Sequence, residues 1–216
     1  KNLSDELKMI VSGGEIYDAF VRVVKRYYPT TEALGAENTK LSTTVGNLLE
    51  SVSYDITDRI VRRELADGTI ETMNYSAVNN QLITESKDGL GNRIEQLDDV
   101  RGRQVQVRQY GGPDGTIFTN YFYNALSELL RVEDHLKNNI VNTYDNLGRR
   151  LSTLHPDAGL TEFNYDLAGN LLQKTSAQLR KVIPKGGAIK YGYDYERIVD
   201  TDYPIQYQNK VSYSYG

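Results

Sequence analysis

The residues in this chain best equipped for chemistry are two histidines and a scatter of aspartates. Asp98-Asp99 is the obvious carboxylate pair for general acid–base work. Neighbouring side chains on a strand point to opposite faces, however, so the two carboxyls cannot share one reacting atom there. His135 and His155 each lie in or beside a turn-forming stretch, with Asp134 and Asp157 nearby. A zinc site needs three or four ligands, and the chain has no cysteine to add. No Ser-His-Asp arrangement is accompanied by a nucleophile turn. Gly111-Gly112-Pro113-Asp114-Gly115 lacks the Lys and Ser or Thr of a phosphate-binding loop and reads as a turn. The remaining aspartates recur at regular intervals, whereas an active site requires one constellation. The sequence therefore assigns no catalytic, cofactor or metal residues and points away from an enzyme.

The elements that position these aspartates are repeats. Tyr54-Asp55-Ile56-Thr57-Asp58-Arg59 recurs as Tyr144-Asp145-Asn146-Leu147-Gly148-Arg149 and as Tyr165-Asp166-Leu167-Ala168-Gly169-Asn170. Weaker copies start at Tyr17-Asp18, Tyr123-Asn124 and Tyr193-Asp194, and copies without the tyrosine start at Asp88 and Asp99. Tyr54 to Tyr75, Tyr123 to Tyr144 and Tyr144 to Tyr165 are each separated by 21 positions. Repetition at a fixed interval is the signature of a stacked architecture.

The repeated residues specify turns. Asp after Tyr accepts a backbone N–H two residues on and starts a type I turn. Gly three residues later takes the left-handed conformation that closes a hairpin with a bulge. Arg or Asn then opens the returning strand. A second turn follows in each repeat, at Asp67-Gly68-Thr69, Pro113-Asp114-Gly115-Thr116 and Pro156-Asp157-Ala158-Gly159. Two turns per repeat leave room for two strands of about six residues, a common strand length. Alternation supports this: Ile117, Thr119, Tyr121 and Tyr123 share one face, as do Ile189, Tyr191 and Tyr193, and Val211, Tyr213 and Tyr215. The expected fold is all-β, a meander of tandem antiparallel hairpins running through residues 1–216 as one region. Thr30 to Gly46 is expected to be a surface loop, and Ala177 to Ala188 to lengthen one connection.

Composition bounds the rest. The chain has 39% apolar residues, 17 Tyr, 4 Phe, no Trp and 18 Gly, with a mean hydropathy of -0.54, so a thin core is expected. Tyr suits surfaces that are half covered and half wet. A net charge of -4 without a basic stripe excludes the footprint of nucleic-acid binding. No apolar run approaches the roughly 20 residues of a membrane span. The chain starts at Lys1 and stops within the strand-like stretch Val211 to Tyr215, so it is expected to be a piece of a longer polypeptide. Asn2-Leu3-Ser4 and Asn74-Tyr75-Ser76 match the N-glycosylation pattern, a short match that arises often by chance.

Tyr-Asp-x-x-Gly-Arg, a strand, Asp-Gly-Thr, a strand and Tyr-Asp again resembles the RHS or YD-repeat family, from about Ile16 to Gly216. The likeness is closest to bacterial members related to the B and C components of insecticidal toxin complexes. It is carried by Tyr17-Asp18-Ala19-Phe20 with Tyr27-Tyr28-Pro29-Thr30, and by Leu147-Gly148-Arg149-Arg150 with Pro156-Asp157-Ala158-Gly159. The resemblance implies an extended, spiralling sheet forming part of a hollow shell around a C-terminal polypeptide toxin, in a secreted or cell-surface bacterial protein. It implies as partners the rest of the parent protein and that cargo. No segment resembles the core that carries the family's autoprotease, so the chain is expected to be wall alone. Val21, Asp58, Ser127, Lys137 and Glu196 stand where the repeat prefers Gly. A carbohydrate-binding or adhesion surface, with sugars stacked on exposed Tyr, is the alternative reading.

Overall fold

The computed structural model describes residues 8–33, 46–113, 115–184, 186–204 and 209–215. The chain divides into two compact units. The first comprises Lys1–Val100 and Gln109–Thr116. Its strands are β1 (Lys8–Val11), β2 (Glu15–Tyr17), β3 (Val23–Tyr27), β4 (Thr30–Ala33), β5 (Leu48–Tyr54), β6 (Ile60–Leu65), β7 (Ile70–Val78), β8 (Gln81–Lys87) and β9 (Arg93–Asp98). Strands β10 (Gln104–Gly112) and β11 (Gly115–Tyr123) contribute residues to both units. The second unit comprises Arg101–Arg108 and Ile117–Gly216. It holds β12 (Leu129–Asp134), β13 (Asn139–Tyr144), β14 (Arg150–His155), β15 (Gly159–Tyr165), β16 (Leu171–Thr175), helix α1 (Ala177–Val182), β17 (Ile189–Asp194), β18 (Arg197–Tyr203) and β19 (Asn209–Ser212).

The fold is a succession of antiparallel hairpins. In the first unit β2-β3-β5-β6-β7-β8-β9 pair in that order, and β1 pairs with β4 as a separate ribbon. In the second, β11 to β19 pair consecutively. Pairing between sequence neighbours follows from tight turns, which can join only antiparallel strands.

Each Tyr-Asp turn is followed by an extra residue in the returning strand. Ser53 faces Arg62 while Tyr54 faces Ile60, so Val61 is bulged out. The same skip leaves Val24, Leu130, Leu151, Leu172 and Val199 opposite no partner of their own. Such a bulge sharpens the twist at one end of the hairpin.

The core is thin. Val52, Leu97 and Ala188 are the buried apolar residues among those described, and no large side chain is fully buried. Alternation places Glu50, Val52 and Tyr54 on one face of β5, and Glu71, Met73 and Tyr75 on the same face of β7. Each such face is banded, with Tyr near the turn, an apolar residue in the middle and a carboxylate beyond.

Two stretches carry elements that their sequence reading did not include. The segment taken as a loop from Thr30 opens with β4, whose Thr30 and Thr31 pair with Val11 and Ile10. Its residues 34–45 lie outside the described residues. The long connection after Thr175 contains α1, which periodicity cannot register in six residues. Ser176 caps it, its hydroxyl accepting from the Leu179 N–H at 3.2 Å. Arg180 anchors it, donating to the Leu160 carbonyl at 3.0 Å and pairing with Glu162.

Candidate functional site

The Tyr-Asp turns form a ladder of shared contacts. In the turn after β13, the Asp145 N–H donates to the Arg149 carbonyl at 2.9 Å and the Gly148 N–H to the Asp145 carbonyl at 3.0 Å. Asp145 Oδ1 accepts from the N–H groups of Leu147 and Arg149, both at 2.9 Å, and Oδ2 takes Arg149 Nε at 2.6 Å. One carboxylate thus fixes three donors, and Gly148 at φ 78 closes the loop. Asp18 with Arg22 and Asp55 with Arg59 repeat this arrangement. Asp88, Asp134 and Asp166 do the same with Asn92, Asn138 and Asn170 in place of arginine. Asn124 takes the aspartate's place with Glu128 as its partner.

The turns are also bound to one another. Tyr165 Oη donates to the carbonyl of Arg150, the residue leaving the preceding turn, at 3.0 Å. Tyr54, Tyr75, Tyr123, Tyr144, Tyr193 and Tyr215 reach the carbonyls of Val23, Ile60, Gln104, Leu129, Leu171 and Ile198 at 2.8 to 3.1 Å. Each turn's arginine lies over the next tyrosine: Arg22 over Tyr54 at 4.8 Å, Arg59 over Tyr75 at 4.1 Å, Arg103 over Tyr123 at 4.9 Å, Arg149 over Tyr165 at 5.0 Å. The same guanidinium reaches the next turn's backbone, Arg22 to the Asp55 carbonyl at 3.1 Å and Arg149 to the Asp166 carbonyl at 2.7 Å. A planar fork with five donors can hold a carboxylate, a ring face and a carbonyl at once, which a lysine cannot.

These contacts hold the turn carboxylates ionised. Hydrogen bonds from the Arg22 side chain lower the Asp18 pKa, as those from Asn92, Asn138 and Asn170 lower Asp88, Asp134 and Asp166. The Arg149 N–H leads for Asp145, and the Thr69 N–H for Asp67. At Asp55 burial pushes upward most, but the combined donors of Arg59 and Thr57 outweigh it.

The remaining turn residues are placed as follows. Asp67 Oδ1 accepts from the Thr69 N–H at 2.9 Å beside Gly68 at φ 82. Asp114 lies outside the described residues, and Gly115 at φ 81 opens β11. At Gly159, φ 72, the turn N–H groups of Asp157 and Ala158 donate to His155 Nδ1 at 3.1 and 3.3 Å, and the Asp157 carboxylate faces solvent. Gly169 takes φ 96 in the Asp166 turn. Val21, Asp58, Ser127 and Lys137 adopt φ between 62 and 69 in the Gly place. At the β17–β18 hairpin the positive φ falls on Tyr195 and not on Glu196, because Asp194 pairs with Arg197 and leaves a two-residue loop.

An ion row crosses the first unit along the carboxylate end of the banded face. Arg26 bridges Glu15 at 3.1 Å and Glu50 at 2.7 Å, and Arg63 bridges Glu50 at 3.2 Å and Glu71 at 3.4 Å. Glu95 is buried against Arg93 and accepts from Tyr110 Oη at 2.7 Å. In the second unit, Thr143, Ser152, Glu162, Asn164, Gln173 and Thr175, together with Leu151 and Phe163, line an open depression of about 410 Å³. Among the described residues no three His, Asp or Glu gather as a metal site, and Asp98 is engaged by Gln96 at 3.0 Å.

The ladder joins one hairpin to the next, and solved structures share the fold of the chain. The chain superposes on the crystal structure of TcdB2-TccC3 with a TM-score of 0.68, over 94% of this chain and 11% of that one, at 16% identity. It superposes on the Photorhabdus luminescens Tc holotoxin pore with a TM-score of 0.66, over 92% of this chain and 11% of that one, also at 16% identity. This is the RHS/YD-repeat fold. A sequence relative, the double-stranded DNA deaminase toxin A of Burkholderia cenocepacia, is 30% identical over 94 residues, which is 43% of this chain and 6% of that protein. No protein-family model matches the chain. The chain spans only a small part of the proteins it is similar to, 11% of these solved structures and 6% of the Burkholderia relative. Among the described residues no helix is long and apolar enough to cross a membrane.

Proposed function

We propose that this RHS/YD-repeat segment is a non-catalytic length of shell wall that sequesters a polypeptide toxin carried by the same protein. The observation that carries the reading is the arginine ladder. It commits the Tyr-Asp-Gly-Arg residues, the most regular feature of the sequence, to binding one hairpin to the next. Residues so used serve continuity of a sheet. The banded face, with ion rows and half-buried aromatics, is polar enough to keep an enclosed chain from adhering as it would to a continuous apolar surface.

The toxin names attached to the similar structures and to the Burkholderia relative support a place in such a protein, secreted or at the bacterial surface. Deamination is named for the whole of that relative, of which the match covers 6%. We assign the matching portion to its repeats. Stacking of sugars on the tyrosines has less support, since their hydroxyls are bonded to backbone carbonyls and several rings are capped by guanidinium groups.

The test is electron microscopy of the full-length parent polypeptide, with limited proteolysis of its C-terminal region. A closed hollow body is expected, with that region protected until Arg149→Ala and Arg59→Ala open the wall. A solid particle, or a C-terminal region cut as fast in the parent as on its own, overturns the reading.

A further inference from the structure

The β14–β15 turn is held differently from its counterparts. In the turns that follow β6, β8 and β12 the acceptor for the backbone N–H groups is a carboxylate, from Asp67, Asp88 and Asp134. After β14 it is an imidazole: His155 Nδ1 takes the N–H groups of Asp157 at 3.1 Å and Ala158 at 3.3 Å. The carboxylate that this turn does contain, on Asp157, is 93% exposed and accepts neither of them, while its Oδ2 stands 4.0 Å from the same Nδ1. One ring nitrogen therefore faces two alternative partners, a pair of donors and an acceptor.

The charge state of the ring selects between them. A neutral imidazole carries a proton on one nitrogen only, and an Nδ1 that accepts leaves that proton on Nε2. A second proton can then go only to Nδ1, which turns the acceptor into a cationic donor. It must part from both backbone N–H groups, and the Asp157 carboxylate is the acceptor beside it. There is space for the movement: a hollow of about 190 Å³ beside the ring is walled by Val132, Asp134, Asn138, Ile140, Pro156 and Asp157. Asp134 is occupied by Asn138 and by the backbone of its own turn, where His135 also favours its ionised form. The neighbouring cations are committed too, Lys137 to Glu133 and Arg180 to Glu162.

We infer that His155 is a proton-operated catch: neutral, it holds the β14–β15 turn closed, and on protonation it releases the turn and with it helix α1. The helix rests on this turn. Ala177 lies against Gly159, where an added Cβ would stand 2.7 Å from its own, and Arg180 donates to the carbonyl of Leu160, the next residue along. Histidine changes charge between pH 5 and 8, well above the range in which aspartates are neutralised. This connection thus opens while the Tyr-Asp turns stay closed and the pairing of β14 with β15 is kept. The catch is separate from the cargo role: it needs no enclosed polypeptide.

The test is amide hydrogen exchange of the whole chain by NMR at about pH 7.5 and about pH 5.5, either side of an ordinary histidine, with rates corrected for the intrinsic effect of pH. The readout is the N–H groups of Arg180 and Ile183, which donate to the Ser176 and Leu179 carbonyls and so report the helix and not the turn itself. Their protection is expected to fall at least about tenfold at the lower pH. That of Leu136 and Asn138, in the turn held by Asp134, is expected to stay the same. His155→Asn puts an amide oxygen in the place of Nδ1, as Asn124 does in its own turn, and is expected to abolish the fall. Asp157→Asn removes the alternative acceptor and is expected to move the fall to lower pH. Equal protection of α1 at both pH values in the unaltered chain overturns the catch, as does a fall that persists in His155→Asn. If that variant does not fold, the ring nitrogen signals of the unaltered chain decide. A proton already on Nδ1 at the higher pH overturns the catch, and an unprotonated Nδ1 there, with α1 protection following the ring's titration, sustains it.

Discussion

The guanidinium of Arg149 lies 5.0 Å from the centre of the Tyr165 ring while its Nε holds Asp145 of its own turn at 2.6 Å. One side chain therefore closes a hairpin and fastens the following one. Arg149→Lys keeps the charge but cannot hold carboxylate, ring and carbonyl together. The thermal midpoint is expected to fall for Arg149→Lys nearly as far as for Arg149→Ala, measured by circular dichroism. Full retention of stability in the lysine variant would show that charge alone suffices.

Tyr165→Phe removes the hydroxyl that donates to the Arg150 carbonyl and leaves the ring under Arg149. A net loss of about 1 kcal/mol is expected, the usual worth of one such bond. Chemical denaturation should show a lower midpoint with an unchanged slope.

Acid should loosen the sheet in a defined window. The pKa values of Asp18, Asp55, Asp67, Asp88, Asp134, Asp145 and Asp166 are lowered on folding from the ordinary 3.8. A lowered folded-state pKa contributes stability that is present above the unfolded value and is lost as pH falls through the folded one. Stability is thus expected to be level above about pH 5 and to drop steeply below pH 4. Asp145→Asn with Asp166→Asn should flatten that drop, since Asn124 shows that an amide oxygen serves the same turn. Urea midpoints measured from pH 2 to pH 7 decide it.

Val21 is β-branched and sits at φ 64, in the left-handed region. Val21→Gly is expected to raise stability by about 1 kcal/mol, the cost of that conformation offset in part by the freer unfolded chain. Gly148→Ala, at φ 78, should lower it by a similar amount. Equal midpoints for the two variants and the parent would remove backbone strain as the reason for the Gly preference.

Gly159 combines φ 72 with a close neighbour, since a Cβ there would stand 2.7 Å from Ala177 Cβ. Gly159→Ala should displace α1 and break the Arg180 contacts with Leu160 and Glu162 while the hairpins persist. Hydrogen exchange is expected to accelerate in residues 177–182 alone.

How far the sequence discloses this fold can be judged residue by residue. The strand pairings are legible because Tyr, Asp and Gly mark each reversal and alternation fills the space between. The β7–β8 hairpin is less so. Its strands run past the repeat position at Tyr75 to Asn79 and Asn80, both at positive φ, in a turn that needs no Tyr-Asp pair. Helix α1 is too short for periodicity, and its one local signal is the cap at Ser176. The contact between Arg149 and Tyr165 is invisible for a different reason. Sequence gives the partners within a turn, but the partners between turns depend on the bulge at Leu151 and its matches, which rotate each returning strand toward its successor.

Among the described residues no large side chain is sealed inside, so there is no centre there that a missing piece would leave hollow. Cohesion passes from neighbour to neighbour, as in other repeat arrays. Excising residues 145–165 would bring Tyr144 directly before Asp166 and re-create the same junction. Evolution can therefore lengthen or shorten such a polypeptide by whole repeats, with no need to redesign an interior.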